Sequence, residues 1–208
     1  MIGQVKKIGN DILFHAITKG NIHDVIALLQ EDECNVNCKN INGATPLHFA
    51  VRAENETIID ILLEAGANPN TAENEEIGSN NPMHVAAERN LTKVMDKLID
   101  LGGDITSSNI RGYTTLHVAA INGKTNMVKL LVARGVDVNV RDKFGYSASY
   151  WAHKSKFMDI EALLPPPAKR SDREIHDYIQ QVWDVAGFKP GKSGKKGKKG
   201  KGGKKKKK

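Results

Sequence analysis

A six-residue pattern returns along this chain at a nearly fixed step. It reads Thr45-Pro46-Leu47-His48-Phe49-Ala50, then Asn81-Pro82-Met83-His84-Val85-Ala86, then Thr114-Thr115-Leu116-His117-Val118-Ala119. A degenerate copy is Ser147-Ala148-Ser149-Tyr150-Trp151-Ala152, and an upstream one, Leu13-Phe14-His15-Ala16, lacks the opening pair. The fourth position falls at 48, 84, 117 and 150, in steps of 36, 33 and 33, and Phe14 lies 34 residues before His48. Every copy has the same sequel: an apolar pair or triplet (Leu28-Leu29, Ile61-Leu62-Leu63, Leu98-Ile99, Leu130-Leu131-Val132, Leu163-Leu164), then in several copies a turn such as Gly66-Ala67-Asn68 or Gly135-Val136-Asp137. Fixed periods of this length mark stacked repeats, in which one unit is too small to bury its own apolar face and neighbours complete the core.

Local chemistry agrees. Thr45 can cap a helix that starts at Pro46, where the missing N–H has no partner to lose. Leu47, Ala50 and Val51, then Ile58, Ile61 and Leu62, recur at helical spacing and predict a helix pair. Gly66 and Gly135 stand where a helix ends and a positive φ is wanted. Asn42-Gly43, Arg111-Gly112 and Phe144-Gly145 predict hairpin turns leading into the next copy. Two departures stand out: one extra residue near Asp32-Glu33-Cys34, and three within Thr71 to Asn80.

The signature, the apolar pairs and the turns together resemble the ankyrin repeat family, whose 33-residue unit carries Thr-Pro-Leu-His-x-Ala. The resemblance implies an all-α solenoid of about five helix-turn-helix repeats with short β-hairpin loops, over 1–164, with repeats near 10–41, 42–77, 78–110, 111–143 and 144–164. It also implies that the recurring histidine hydrogen-bonds loop backbone inside the stack.

His48, His84 and His117 look like a ligand set but are separated by one repeat each, too far apart for a shared metal at ~2 Å. Cys34-x3-Cys38, with His15 and His23 upstream, is one pair where a closed zinc site wants four ligands, so ordinary reduced thiols are expected. No Gly-rich phosphate loop, His-Glu-x-x-His or Gly-x-Ser-x-Gly is present. The expected function is therefore binding, without catalysis, cofactor or metal.

The resemblance implies a protein partner held by the hairpin tips and the exposed side of each first helix. Those positions are Asn40, Ile41 and Asn42; Ile110, Arg111 and Tyr113; Lys143, Phe144 and Tyr146; and, on the helices, Arg52, Glu88, Arg89, Ile121, Asn122 and Lys154. Aromatic and Arg side chains are common interface anchors, which favours the last two hairpins. The alternative is that the tyrosines pack between neighbouring hairpins.

Charge divides the chain. Residues 1–164 carry 16 basic and 20 acidic side chains, whereas 189–208 carry 12 Lys and no acid. The net +7 thus describes a mildly acidic body with a polylysine tail. Residues 165–170 read as a Pro-rich linker. Ser171-x-x-Glu174 is a capping-box pattern opening an amphipathic helix over 171–187. Its stripe of Ile175, Ile179, Val182 and Trp183 is expected either to fold back on the last repeat or to enter a partner's groove. Residues 188–208 form a Lys/Gly-rich tail that cannot bury anything and is expected to be disordered. Its lysines (Lys195, Lys196, Lys198, Lys199 and Lys204, Lys205, Lys206, Lys207, Lys208) are expected to contact a polyanion: nucleic acid, acidic protein tails such as tubulin's, or an anionic membrane surface. Lys-rich runs also serve as nuclear addresses. Two cysteines, no membrane-spanning run and no secretory signal place the expectation in cytoplasm or nucleus. Three roles follow: an adaptor gripping a protein through the repeats, a nucleic-acid-associated or ribonucleoprotein component anchored by the tail, or a structural part of a larger assembly such as a microtubule-based one.

Overall fold

The computed structural model describes residues 2–30 and 34–166. They form five helix pairs in succession: α1 (Ile2–Lys19) with α2 (Ile22–Gln30), α3 (Pro46–Arg52) with α4 (Glu56–Glu64), α5 (Pro82–Arg89) with α6 (Thr92–Asp100), α7 (Thr115–Ile121) with α8 (Thr125–Ala133), and α9 (Ala148–Lys154) with α10 (Met158–Glu161). Each first helix packs on its own partner and on the next first helix, so α1, α3, α5, α7 and α9 make one layer and the second helices the other. The polybasic tail, the 171–187 helix and most of the linker lie outside the described residues.

The core is built from equivalent positions. Leu13, Leu47, Met83 and Leu116 of the first helices are buried, as are Ile58 and Leu62, Met95 and Leu98, and Met127 and Leu131 of the second helices. In α9 the matching position is Ser149, fully buried with no hydrogen-bond partner for its hydroxyl. The ends of the stack differ from the sequence expectation. α1 begins at Ile2, well before residue 10. α10 stops at Glu161, so Leu163 and Leu164 follow the helix instead of belonging to it. Pro165 disfavours helical backbone at the residue before it, which accounts for the early end.

Three sets of bonds tie one repeat to the next. The first uses the signature histidines. The backbone N–H of the N-cap residue (Thr45, Asn81, Thr114) donates to the histidine Nδ1 at 3.1, 3.3 and 3.3 Å. An N–H can only donate, so Nδ1 accepts and Nε2 carries the proton; the Thr45 and Thr114 hydroxyls also lie against Nδ1 at His48 and His117, whereas at His84 the neighbour is Asn81 Oδ1 at 2.6 Å. That Nε2–H donates to the carbonyl just before the next cap: Asn80 (3.0 Å), Tyr113 (2.9 Å) and Tyr146 (3.1 Å). The second set is an asparagine ladder. Asn37 Nδ2 donates to Gly66 O at 3.0 Å while its Oδ1 accepts from Asn68 N at 2.7 Å. Asn70 repeats this with Gly102 O and Asp104 N at 3.0 and 2.7 Å. The next rung would fall on Thr106, whose side chain turns back to Asp104 at 2.6 Å.

The third set joins hairpin tips. Asn40, Asn109 and Asp142 each accept two backbone N–H bonds through Oδ1 and so close their hairpins. Two of these hairpins are pinned by single antiparallel bridges, Ser108 with Thr114 and Arg141 with Ser147. Across tips, Asn74 N donates to Asn42 O (3.0 Å), Ile110 N to Gly78 O (3.1 Å) and Lys143 N to Arg111 O (3.1 Å). Gly112 is needed beside the last of these: its φ is +75°, and a Cβ there would stand 2.6 Å from Lys143 N.

Burial pushes the His48 and His84 imidazoles down to about 4 and lowers His117 as well, because the charged form is desolvated. The unfolded chain then binds more protons than the folded one between pH 4 and 6.5. Stability is therefore full above pH 6.5 and falls on acidification, by up to about 3 kcal/mol for each of the two most shifted histidines. In urea titrations between pH 4.5 and 6, His84→Gln is expected to flatten the slope of unfolding free energy against pH by about one proton. Thr106→Asn is expected to supply the missing rung to Gly135 and Asp137 and to add about 1 kcal/mol at pH 7, read from the same titrations.

Candidate functional site

A groove of about 450 Å³ opens between the hairpins entering α5 and α7 and the first helices themselves. Its apolar surface comes from Ile110, Tyr113, Val118 and Ile121. Its polar rim holds Glu75, Glu76, Glu88, Arg111 and Asn122. The structure thus brings together six residues chosen from the sequence for partner binding: Ile110, Arg111, Tyr113, Glu88, Ile121 and Asn122. The hairpin tip supplies the first three, α5 supplies Glu88, and the last turn of α7 with its cap supplies the others. Asn109 Nδ2 donates to Asn80 Oδ1 at 2.9 Å and ties the two hairpins below the rim. Arg111 lies beside the Tyr113 side chain; burial, with Asp142 nearby, raises the phenol above its usual range.

The remaining candidates do not line this groove. Tyr146 lies against Tyr150, ring centroids 3.9 Å apart and nearly parallel, and meets Trp151 edge-on at 5.9 Å. Tyr113 also meets Trp151 edge-on at 5.7 Å. Trp151 is fixed by its Nε1–H, which donates to Asp142 Oδ2 at 2.7 Å, and Lys154 Nζ lies 4.8 Å from its ring centroid. The tyrosines therefore pack among the last two hairpins, and Tyr113 alone of this set also faces the groove. Phe144 is half-buried and Lys143 exposed. Arg89 pairs with Glu54 at 3.2 Å across the α3–α5 step.

Arg52 has an internal partner, the buried Glu73 carboxylate. Glu73 stands at the hairpin position that Asn40, Asn109 and Asp142 occupy elsewhere, and this break in pattern is the sequence signal that marks the pair. The wall formed by Glu75 and Glu76 was also outside the sequence reading of the site. Its signal was the three surplus residues between Thr71 and Asn80, which form a short 3₁₀ turn, Glu75–Ile77.

Cys34 and Cys38 are both buried; Cys34 donates to Leu28 O at 3.3 Å, and burial with Cys34 nearby pushes the Cys38 thiol up to about 11. Among the described residues no cluster of three or more metal-ligating side chains occurs, and no helix is long and apolar enough to cross a membrane.

A family model described as ankyrin repeats, in three copies, matches residues 2–73 and 74–170, the two matches meeting inside the insertion. NF-kappa-B inhibitor alpha of Sus scrofa is 32% identical over 148 residues, 67% of this chain and 46% of that protein. The p105 subunit of nuclear factor NF-kappa-B from Gallus gallus is 32% identical over 133 residues, 62% of this chain and 13% of that protein. Alpha-latroinsectotoxin-Lt1a of Latrodectus tredecimguttatus is 28% identical over 145 residues, 65% of this chain and 10% of that protein. The chain thus spans less than half the length of these relatives.

Arg52→Ala leaves a buried carboxylate without its cation and is expected to cost about 1–3 kcal/mol in urea unfolding. Adding Glu73→Gln to that variant should restore part of the loss, since no uncompensated charge then remains.

Proposed function

The chain belongs to the ankyrin repeat family, and we propose that it is a non-enzymatic adaptor that holds a protein partner in the groove between α5 and α7. The observation that carries this reading is the convergence of Ile110, Arg111, Tyr113, Ile121 and Asn122 on one concavity. An apolar centre with a charged and amide rim has the composition of a protein-binding patch, and its volume lies in the range of real ligand clefts. The rigid stack behind it lowers the ordering cost of binding. A relative named as an inhibitor of NF-kappa-B is in keeping with a protein that acts by holding another macromolecule.

The twelve lysines of 189–208 supply a second, salt-sensitive contact with a polyanion. Two weak contacts on one chain raise avidity without new chemistry. Cytosol or nucleus is the compartment that suits two buried reduced thiols and a Lys-rich address. The +12 charge of the tail favours one other reading, a nucleic-acid-associated component with the tail as main anchor and the repeats as a protein dock.

Affinity capture from native lysate separates the two readings, using the full chain, a chain ending at residue 188, and full-length Ile110→Gln/Ile121→Gln. The adaptor reading expects one protein to stay with the first two at high salt and to be lost by the isoleucine variant. Disappearance of everything bound with the tail or with salt would make the tail the working part.

A further inference from the structure

We infer that the groove takes a basic segment of its partner, with Lys or Arg side chains flanking an aliphatic residue, and that the three-residue insertion before α5 selects it. This rests on the groove being the docking surface. Glu75, Glu76 and Glu88 share the groove with one cation, Arg111. Elsewhere on the same face the glutamates are neutralised: Glu73 by Arg52 and Glu54 by Arg89. Among the described residues no cation pairs with Glu75, Glu76 or Glu88. The groove is thus left with negative charge beside an apolar floor. An acidic segment or a nucleic-acid backbone would be repelled there, whereas a basic segment gains both steering and a seat for its aliphatic side chain.

The insertion is built to hold this charge in place. The hairpin-tip bond arriving from Asn42 ends on Asn74, and the bond leaving for Ile110 starts from Gly78. The extra turn Glu75–Ile77 is spliced between those two anchors. It is closed from within by Glu73 N to Asn80 O (3.0 Å), Gly78 N to Glu75 O (3.0 Å) and Ser79 N to Asn74 O (3.2 Å). Gly78 and Ser79 both adopt positive φ, 113° and 53°, to complete the loop. Two carboxylates therefore stand on a clamped wall, and little ordering remains to be done on binding.

The test uses the full chain and a fluorescein-labelled octapeptide, six Lys and Arg residues around a central Leu-Leu, titrated by fluorescence anisotropy. A matched peptide with Gln in place of each cation is the control, since an acidic one would be drawn to the lysine tail. The inference expects saturable binding of the basic peptide and not of the neutral one. Glu75→Lys/Glu76→Lys should weaken it about tenfold or more, since two attractive pairs become repulsive. Glu56→Lys/Glu64→Lys, the same charge change on exposed positions of α4, should change it less than about twofold. Equal weakening by both charge reversals, or equal binding of both peptides, would overturn the inference. Urea midpoints of the variants confirm that each is folded. If Ile110→Gln/Ile121→Gln abolishes capture of the protein partner while Glu75→Lys/Glu76→Lys retains it, the docking surface stands and the basic-segment inference alone fails. If neither pair affects capture or peptide binding, the groove is the wrong surface and both readings fail.

Discussion

In each of the three central repeats one imidazole joins the N-cap of its own helix to the loop of the next repeat. The neutral ring can do this because its two nitrogens differ: one accepts and the other donates, on opposite edges. The acceptor edge takes the orphan N–H of the helix start, and the donor edge reaches a carbonyl about 30 residues later. Capping and stacking are thereby one interaction. A helix of seven or eight residues is too short to stand alone in water, so its start and its neighbour have to be fixed together. Protonation would replace the acceptor with a donor facing another donor, which is the structural counterpart of the depressed histidine pKa.

The repeat structure was legible because each copy states it again. Core positions, the cap at Thr45 and the turns at Gly66 and Gly135 all came from local chemistry that recurs in register. The groove was half legible. Ile110, Arg111 and Tyr113 were found from a hairpin position, and Ile121 and Asn122 from a helix position, but their meeting on one concavity depends on how α5 and α7 stack. Arg52 shows the limit of positional reasoning. Its place on the helix suggested a partner-facing charge, yet its cation is used by Glu73, 21 residues away, at a site where the regular hairpin has Asn or Asp. The acidic wall was the hardest part to read. Three surplus residues are visible as a count, but only the tip-to-tip bonds show that they are clamped beside the groove.

Irregularity and function coincide in this molecule. The regular elements, His48 and Asn37 for example, serve the stack and leave little free chemistry at the surface. The exceptions are spent differently. In the last helix pair Tyr150 stands where three other repeats have histidine, and Tyr146, Tyr150 and Trp151 form an aromatic cluster there. In the middle, the insertion adds charge without breaking the ladder of hairpin tips, because its two anchors remain those of an ordinary hairpin.

The seam between the α5–α6 and α7–α8 repeats carries a further consequence. It holds the His84 bond, the Gly78–Ile110 tip bond and the Asn70 rung to Gly102 and Asp104. The groove lies across this same seam, with Glu75, Glu76 and Glu88 on one side and Ile110, Arg111 and Ile121 on the other. A segment seated in it would touch both repeats. In a solenoid, where stability is a sum of neighbour terms, a ligand that bridges a seam strengthens it by the free energy of its own binding. The missing rung, at Thr106, falls one seam further on, beside the His117–Tyr146 and Lys143–Arg111 bonds. Partner binding and a filled rung therefore act on successive seams, and the α7–α8 repeat takes part in both.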